Sequence, residues 1–241
     1  MSATAGFTRP PTAQEAVLAQ VRRELVAGAL RPGEQVRQEQ LAERYGVSRV
    51  PLREALKILE GEGQVVYHPH RGYFVAELSV DDLIEVYRLR ELLEAEAIRA
   101  AVPKLTQGSL VALRAAQAAV VRANRSREVA AITDANRRFH FELFELSGRP
   151  RLVRLLGQLW DSTDVYRTVY FGQPVNRRRV DVEHERQLRA LELRDTEAVV
   201  RLQAEHRDHS VATVRAVIES GLLVTSGPVR ARSSPRDPRS G

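Results

Sequence analysis

Hydrophobic and polar positions along the chain fall into two textures. Up to about Leu78 the apolar runs are short and interrupted by Pro32, Gly33, Gly46, Gly61, Gly63, Pro69 and Gly72. Val17, Val21 and Leu25 recur at helical spacing after Pro10–Pro11–Thr12, and Gly28 closes that first helix. Gln38 to Tyr45 predicts a second, short helix; Gly46 permits a turn, and Ser48 is placed to cap a third helix from Arg49 to about Glu60. Val65–His68 and Tyr73–Ala76 then read as two short strands joined by Pro69–His70–Arg71–Gly72. Three helices followed by a hairpin is the layout of a winged helix-turn-helix.

From Ser79 to Gly221 the sequence is nearly continuous helix former, with breaks near Pro103–Gly108, Arg125–Ser126, Ser147–Pro150, Gly172–Pro174 and Arg194–Asp195. Six helices are predicted, over about 80–101, 107–124, 127–146, 150–170, 176–193 and 195–220. Asp81–Asp82 and Asp195 suit helix N-termini. The fold class is mainly α: an N-terminal winged helix-turn-helix and a C-terminal all-helical bundle. Four segments are expected: a flexible N-terminus (1–11), the winged domain (12–78), the helical domain (79–222) and a disordered tail (223–241).

Composition narrows the class. Of 241 residues, 43% are hydrophobic and 28% charged, enough apolar surface for a sizeable core. No apolar run is long enough to span a membrane and no secretory signal opens the chain, so a cytoplasmic protein without a membrane partner is expected. There is no cysteine, which excludes disulfides and thiolate chemistry. The net charge of +6 says little, because the tail from Ser226 supplies four arginines against Asp237. Between Arg9 and Leu78 ten basic residues meet nine acidic ones. Placement of charge, rather than its sum, has to argue for nucleic acid.

The third helix supplies that placement. Leu52, Ala55, Leu56 and Leu59 share one face, while Arg49, Arg53 and Lys57 form a separate cationic stripe spaced by four. A recognition helix needs this division, because one face packs while the other reaches bases and phosphates in the major groove. Arg71, at the hairpin tip, is placed to reach an adjacent groove or phosphate. One short recognition helix reads too few bases for useful specificity, so a homodimer on related half-sites is expected.

The helical region carries a second constellation. Ile132, Ala135, Asn136, Phe139, His140, Leu143 and Phe144 form one stripe at offsets 0, 3, 4, 7, 8, 11 and 12. His184 lies on the face of Val180, Leu188 and Leu191; His206 lies on that of Val199 and Leu202. A single histidine on an apolar face is ordinarily a core residue. Three, on helices that bury those faces together, also suit a divalent transition metal, zinc by default with nickel or manganese as alternatives. Asn136 and His140, at i and i+4, point the same way.

Leu30–Glu34, Leu41–Ala42–Glu43–Arg44–Tyr45–Gly46–Val47–Ser48–Arg49–Val50–Pro51–Leu52–Arg53–Glu54–Ala55–Leu56, then Glu60, Gly63, Pro69, Arg71, Gly72 and Val75 closely resemble the DNA-binding domain of the GntR family of bacterial transcription regulators. The resemblance implies base and phosphate contacts from Ser48, Arg49 and Arg53, with the wing around Gly72 in the minor groove. Some relatives carry an arginine early in the second helix; Glu39 here removes the warrant for a phosphate contact at that position. Arg90–Glu94, Asn136, Phe139–His140, Glu183–His184, Asp195, Ala198 and His206 resemble the helical FCD ligand-binding domain of FadR-type members, in the VanR-like group. That resemblance implies a metal held by Asn136, His140, His184 and His206, and a small carboxylate effector bound with its help. Arg90 is a candidate partner for that carboxylate, with a surface or helix-pairing role as the alternative. His209 is a possible decoy one turn after His206, and His68 and His70 belong to the wing.

The leading reading is a ligand-responsive transcriptional regulator, a repressor acting on a near-palindromic DNA operator. A metal-dependent hydrolase is the alternative, since three histidines around zinc also describe catalytic sites. Against it, no HExxH-type pairing sets a general base beside the ligands. A third reading is a structural nucleic-acid-binding protein whose helical domain only dimerises.

Overall fold

The computed structural model describes residues 10–220. Most of the expected flexible N-terminus and the whole of the basic tail lie outside these described residues.

The first half folds as α1 (Ala13–Val26), α2 (Gln38–Tyr45), α3 (Arg49–Gly61) and an antiparallel hairpin, β1 (Val65–His68) with β2 (Gly72–Val75). Thr12 and Glu15 form a capping box that fixes the start of α1. Gly46 takes the left-handed conformation (φ 65°) that ends α2 and turns the chain into α3. Ser48 occupies the N-cap position, but its hydroxyl makes no cap bond, so it marks the helix start by backbone geometry only. The hairpin pairs Val65 with Val75 and His68 with Gly72, so β2 begins one residue earlier than alternation predicts. Gln35 forms an isolated antiparallel bridge with Phe74 outside the β1–β2 ladder, and its side-chain amide donates to the Arg71 carbonyl at 2.6 Å, holding the wing tip against the domain.

The second half contains α4 (Val80–Ala101), a short 3-10 turn (Val102–Lys104), α5 (Gln107–Ser126), α6 (Val129–Glu145), α7 (Pro150–Ser162), α8 (Asp164–Gly172), α9 (Pro174–Glu192) and α10 (Thr196–Glu219). Seven α-helices therefore stand where six were expected. The helix predicted over 150–170 is broken at Thr163, which sits near φ −104°, ψ 8°. Its hydroxyl donates toward the carbonyls of Leu159 and Trp160 and accepts from Arg90 and Arg167. A threonine hydroxyl that competes for main-chain acceptors bends a helix without any glycine or proline to announce it. Asp195 caps α10 through the Ala198 amide.

Two hydrophobic clusters result, one from Val17 to Val75 and one from Leu78 to Ile218. In the larger, α5 packs on α6 and α9, α4 on α6, α7 and α10, and α9 on α10. The halves meet where α8 lies against α1. Thr168 Oγ1 donates to the Val26 carbonyl at 3.1 Å, and Val165 packs against both clusters. Arg22 of α1 joins Glu62 at 2.5 Å to Asp161 of α7 at 3.1 Å.

Candidate nucleic-acid interface and metal centre

Leu52, Ala55, Leu56 and Leu59 of α3 are all buried, which leaves Ser48, Arg49 and Arg53 on the exposed side. Arg49, Arg71 and Gly72 line one open cleft of about 570 Å³ between the wing and the starts of α2 and α3, together with Gln35, Arg37 and Glu39. Gly72 adopts φ 82°, a left-handed turn that most side chains resist. Arg71 lies over the Phe74 ring at 5.0 Å, which aims its guanidinium along the wing. Arg49 is paired with Glu39 at 2.8 Å, both side chains largely in solvent. Lys57, like Ser48 and Arg53, does not line this cleft. It pairs with Glu54 at 3.2 Å and lines a second cleft, with Glu62, Asp82 and Ser162, at the junction of the halves. Arg37 went unnoticed in the sequence because it precedes α2 and belongs to no helical stripe.

The histidines of α6, α9 and α10 converge. His140, His184 and His206 are buried, and one ligand-capable atom of each lies within 4.8 Å of the others. The Nε2 atoms of His140 and His184 are 3.2 Å apart. Gln117 Oε1 lies 2.7 Å from His184 Nδ1, and Glu183 Oε2 lies 2.7 Å from His206 Nδ1. With those nitrogens donating outward, the Nε2 lone pairs of His184 and His206 are left for the centre. Two nitrogens each about 2.0–2.1 Å from a tetrahedral ion stand about 3.3 Å apart, close to the spacing between His140 and His184. Asn136 is buried one turn before His140, and its Oδ1 has no hydrogen-bond partner among the described residues. An orphaned buried acceptor beside three convergent imidazoles fits a divalent cation by donor chemistry.

Charge around the centre agrees with that fit. Burial, reinforced by His184, His206, Arg90 and Arg167, holds His140 well below the ordinary imidazole range; burial and then His206 do the same to His184. Both are therefore in the unprotonated form that ligation requires. Burial alone would raise Glu183, but its bonds to His206 and His209 outweigh this and keep it ionised. His209 Nδ1 lies 2.6 Å from Glu183 Oε1, and its half-exposed ring stands outside the triad. The nearby acid Asp134 is exposed.

Arg90 reaches the same core but is not presented as an open cation. Its Nε donates to Glu94 at 3.0 Å, and its guanidinium lies over the rings of Trp160 (4.2 Å) and Tyr87 (4.4 Å). Glu94, fully buried, also accepts from Trp160 Nε1 at 2.9 Å, Gln203 at 2.9 Å and Arg207 at 3.1 Å. The i, i+4 spacing of Arg90 and Glu94 is a sequence signature of this pair. Gln117, Gln203 and Arg207 left none.

Residues 13–75 match the bacterial regulatory proteins of the gntR family, and residues 85–209, over half the chain, match the FCD domain. The chain belongs to the GntR family. It joins the family's helix-turn-helix domain to an FCD domain, and it is a transcriptional regulator rather than an enzyme. Its relatives include the uncharacterized HTH-type regulator YdhC of Bacillus subtilis, 26% identical over 84% of this chain and 91% of that protein. The HTH-type transcriptional regulator McbR of Escherichia coli is 31% identical over 58% of this chain and 63% of that protein. The solved McbR structure superposes with a TM-score of 0.78 at 26% identity, covering 87% of this chain and all of that one. The hydrolase alternative finds no support among these GntR and FCD matches. Among the described residues no helix is long and apolar enough to cross a membrane.

Proposed function

We propose that this GntR-family protein is a cytoplasmic, metal-containing repressor that binds a near-palindromic operator as a homodimer and is modulated by a small carboxylate. The observation that carries the reading is the convergence of His140, His184 and His206 beside the orphaned Oδ1 of Asn136, inside the domain attached to a DNA-binding fold. These four residues would hold the ion, zinc first among the candidates, which supplies a Lewis-acidic position for a ligand oxygen. Arg90, Arg167 and Arg207 are buried close by, paired with Glu94, Asp164 and, at 4.0 Å, Glu91, and their guanidiniums supply partners for a carboxylate. All three histidines are enclosed, so an effector must part the surrounding helices to reach them, and that coupling is what a regulator needs. The test is metal analysis of untagged protein, followed by operator binding with and without candidate carboxylates. Metal-free protein whose operator affinity ignores every carboxylate would remove both halves of the reading.

Operator contact falls to Ser48, Arg49, Arg53, Lys57, Arg71 and Gly72. Arg49→Ala and Arg53→Ala are each expected to weaken the cognate site by about 1–3 kcal/mol if the arginine reads a base. A phosphate-only contact would lower affinity for all duplexes alike and reduce the salt slope by about one. Gel shifts at several salt concentrations separate the two, and unchanged operator binding by both variants would reject α3 as the reader.

The dimer surface is assigned to α4 and α7, which pack side by side and leave Ile84, Leu89, Leu92 and Leu155 exposed. Leu92→Glu is expected to convert the dimer to monomer at micromolar concentration in sedimentation, with operator affinity falling in parallel. A variant that stays dimeric places the interface elsewhere.

A further inference from the structure

The helices α5 and α9 run together, and their arginines differ from one end to the other. At one end Arg114 pairs with Glu192, Arg186 with Glu205 at 3.2 Å, and Arg189 with Glu185 at 3.5 Å. At the other, Arg125 and Arg127 from the end of α5 meet Arg177 and Arg178 from the start of α9 around a cleft of about 510 Å³. None of these four is ion-paired among the described residues. Arg127 takes a left-handed backbone (φ 64°), a conformation that costs a branched-out side chain some stability and sets this arginine at the α5 terminus.

The cleft also holds acceptors. Asp181 lies in it, with its carboxylate accepting from Asn124 Nδ2 at 2.6 Å; burial raises its pKa, a tendency that the Asn124 bond and then Arg125 only partly oppose. Asn124 donates as well to the Arg177 carbonyl at 3.2 Å, and its buried Oδ1 has no partner among the described residues. Four guanidiniums suit a phosphate, since their planar forks match phosphate oxygens. The Asp181 carboxylate among them suits a hydroxyl donor and would oppose a bare polyanion. The volume is that of a small-molecule site.

We propose that this cleft binds a small phosphorylated, hydroxyl-bearing molecule of the sugar-phosphate class, as a second ligand distinct from anything held at the histidine centre. The phosphate lies among Arg125, Arg127, Arg177 and Arg178, and a hydroxyl donates to Asp181. DNA backbone phosphate is the competing occupant, and the measurement separates them.

The experiment is calorimetric titration of the full-length protein with ribose 5-phosphate, glycerol 3-phosphate, inorganic phosphate and ribose, beside titration of a non-cognate duplex at several salt concentrations. Saturable binding of at least one of the two phosphate esters, one per chain and tighter than inorganic phosphate, is expected, with no binding of ribose. The double variant Arg177→Ala, Arg178→Ala should weaken it about tenfold or more through lost charge-assisted bonds. Its thermal unfolding should match wild type, because neither side chain is ion-paired, so a lost ligand cannot be ascribed to misfolding. Arg114→Ala, at the ion-paired end of α5, should leave ester binding unchanged. The proposal fails if neither ester binds, if the double variant binds them normally, or if inorganic phosphate binds as tightly as the esters. It fails also if the double variant instead loses duplex affinity and about two units of salt slope without any ester binding, which assigns the cleft to the DNA backbone.

Discussion

Glu94→Gln is expected to cost about 3–5 kcal/mol of unfolding free energy, the usual loss when one partner of a buried ion pair is removed. Glu94 has no exposed surface, and its carboxylate accepts from Arg90, Arg207, Gln203 and Trp160. Glutamine keeps the volume but leaves Arg90 buried without its counter-ion and Arg207 with Glu91 alone, at 4.0 Å. Burial alone would raise the carboxyl; Arg90 and Arg207, then Gln203 and Trp160, more than reverse this and hold it below its ordinary 4.5. The unfolded chain therefore takes up this proton first as pH falls. The stability contributed by Glu94 is complete above about pH 4.5 and is lost as pH falls toward the depressed folded value. Denaturant unfolding of wild type and variant across pH 3–7 checks both claims. The gap between them should be largest near neutrality and narrow in acid, and a variant within 1 kcal/mol of wild type at pH 7 would show that the arginines find other counter-charge.

Zinc added to chelator-stripped protein is expected to raise its melting temperature, with about 2.7 kcal/mol of added stability when free metal is a hundredfold above Kd. His184→Ala and His206→Ala should abolish the effect. Gln117→Ala is the more informative variant, because Gln117 reaches the centre only through His184 Nδ1 at 2.7 Å. Loss of such an outer partner typically weakens metal affinity by about 10–100-fold. Competition against a metal-binding dye, with nickel and manganese in parallel, measures it. Melting curves indifferent to all three metals would leave the histidines as ordinary core residues.

The stripe on α6 was legible because apolar residues at a 3.6 period predict a buried face, and every one of Ile132, Ala135, Asn136, Phe139, His140, Leu143 and Phe144 is indeed buried. The same logic put His184 and His206 on inward faces, and packing of α6, α9 and α10 then had to bring the three rings together. The wing was legible from its turn residues and the flanking strands. Polar partners were not, since a hydrogen bond between distant side chains leaves no period. Gln117 and His184 are 67 residues apart, and Arg207 and Glu94 are 113 apart. Thr163 escaped for a related reason: its hydroxyl breaks the helix through local bonds, while the apolar pattern runs on from Trp160 to Tyr166 and Tyr170.

That break has a mechanical consequence. Trp160 and Asp161 are neighbours on the last turn of α7, yet one faces the histidine centre and the other the junction with α1. The Trp160 ring lies 5.1 Å from His140 and its Nε1 holds Glu94, whereas Asp161 grips Arg137 at 2.9 Å and, across the junction, Arg22 at 3.1 Å. With the helix severed at Thr163, this turn is a rocker on a short axle, seated by Arg167 through the Trp160 carbonyl and the Thr163 hydroxyl. A single pair of adjacent residues thus spans from the ring of His140 to the first helix of the DNA-binding half.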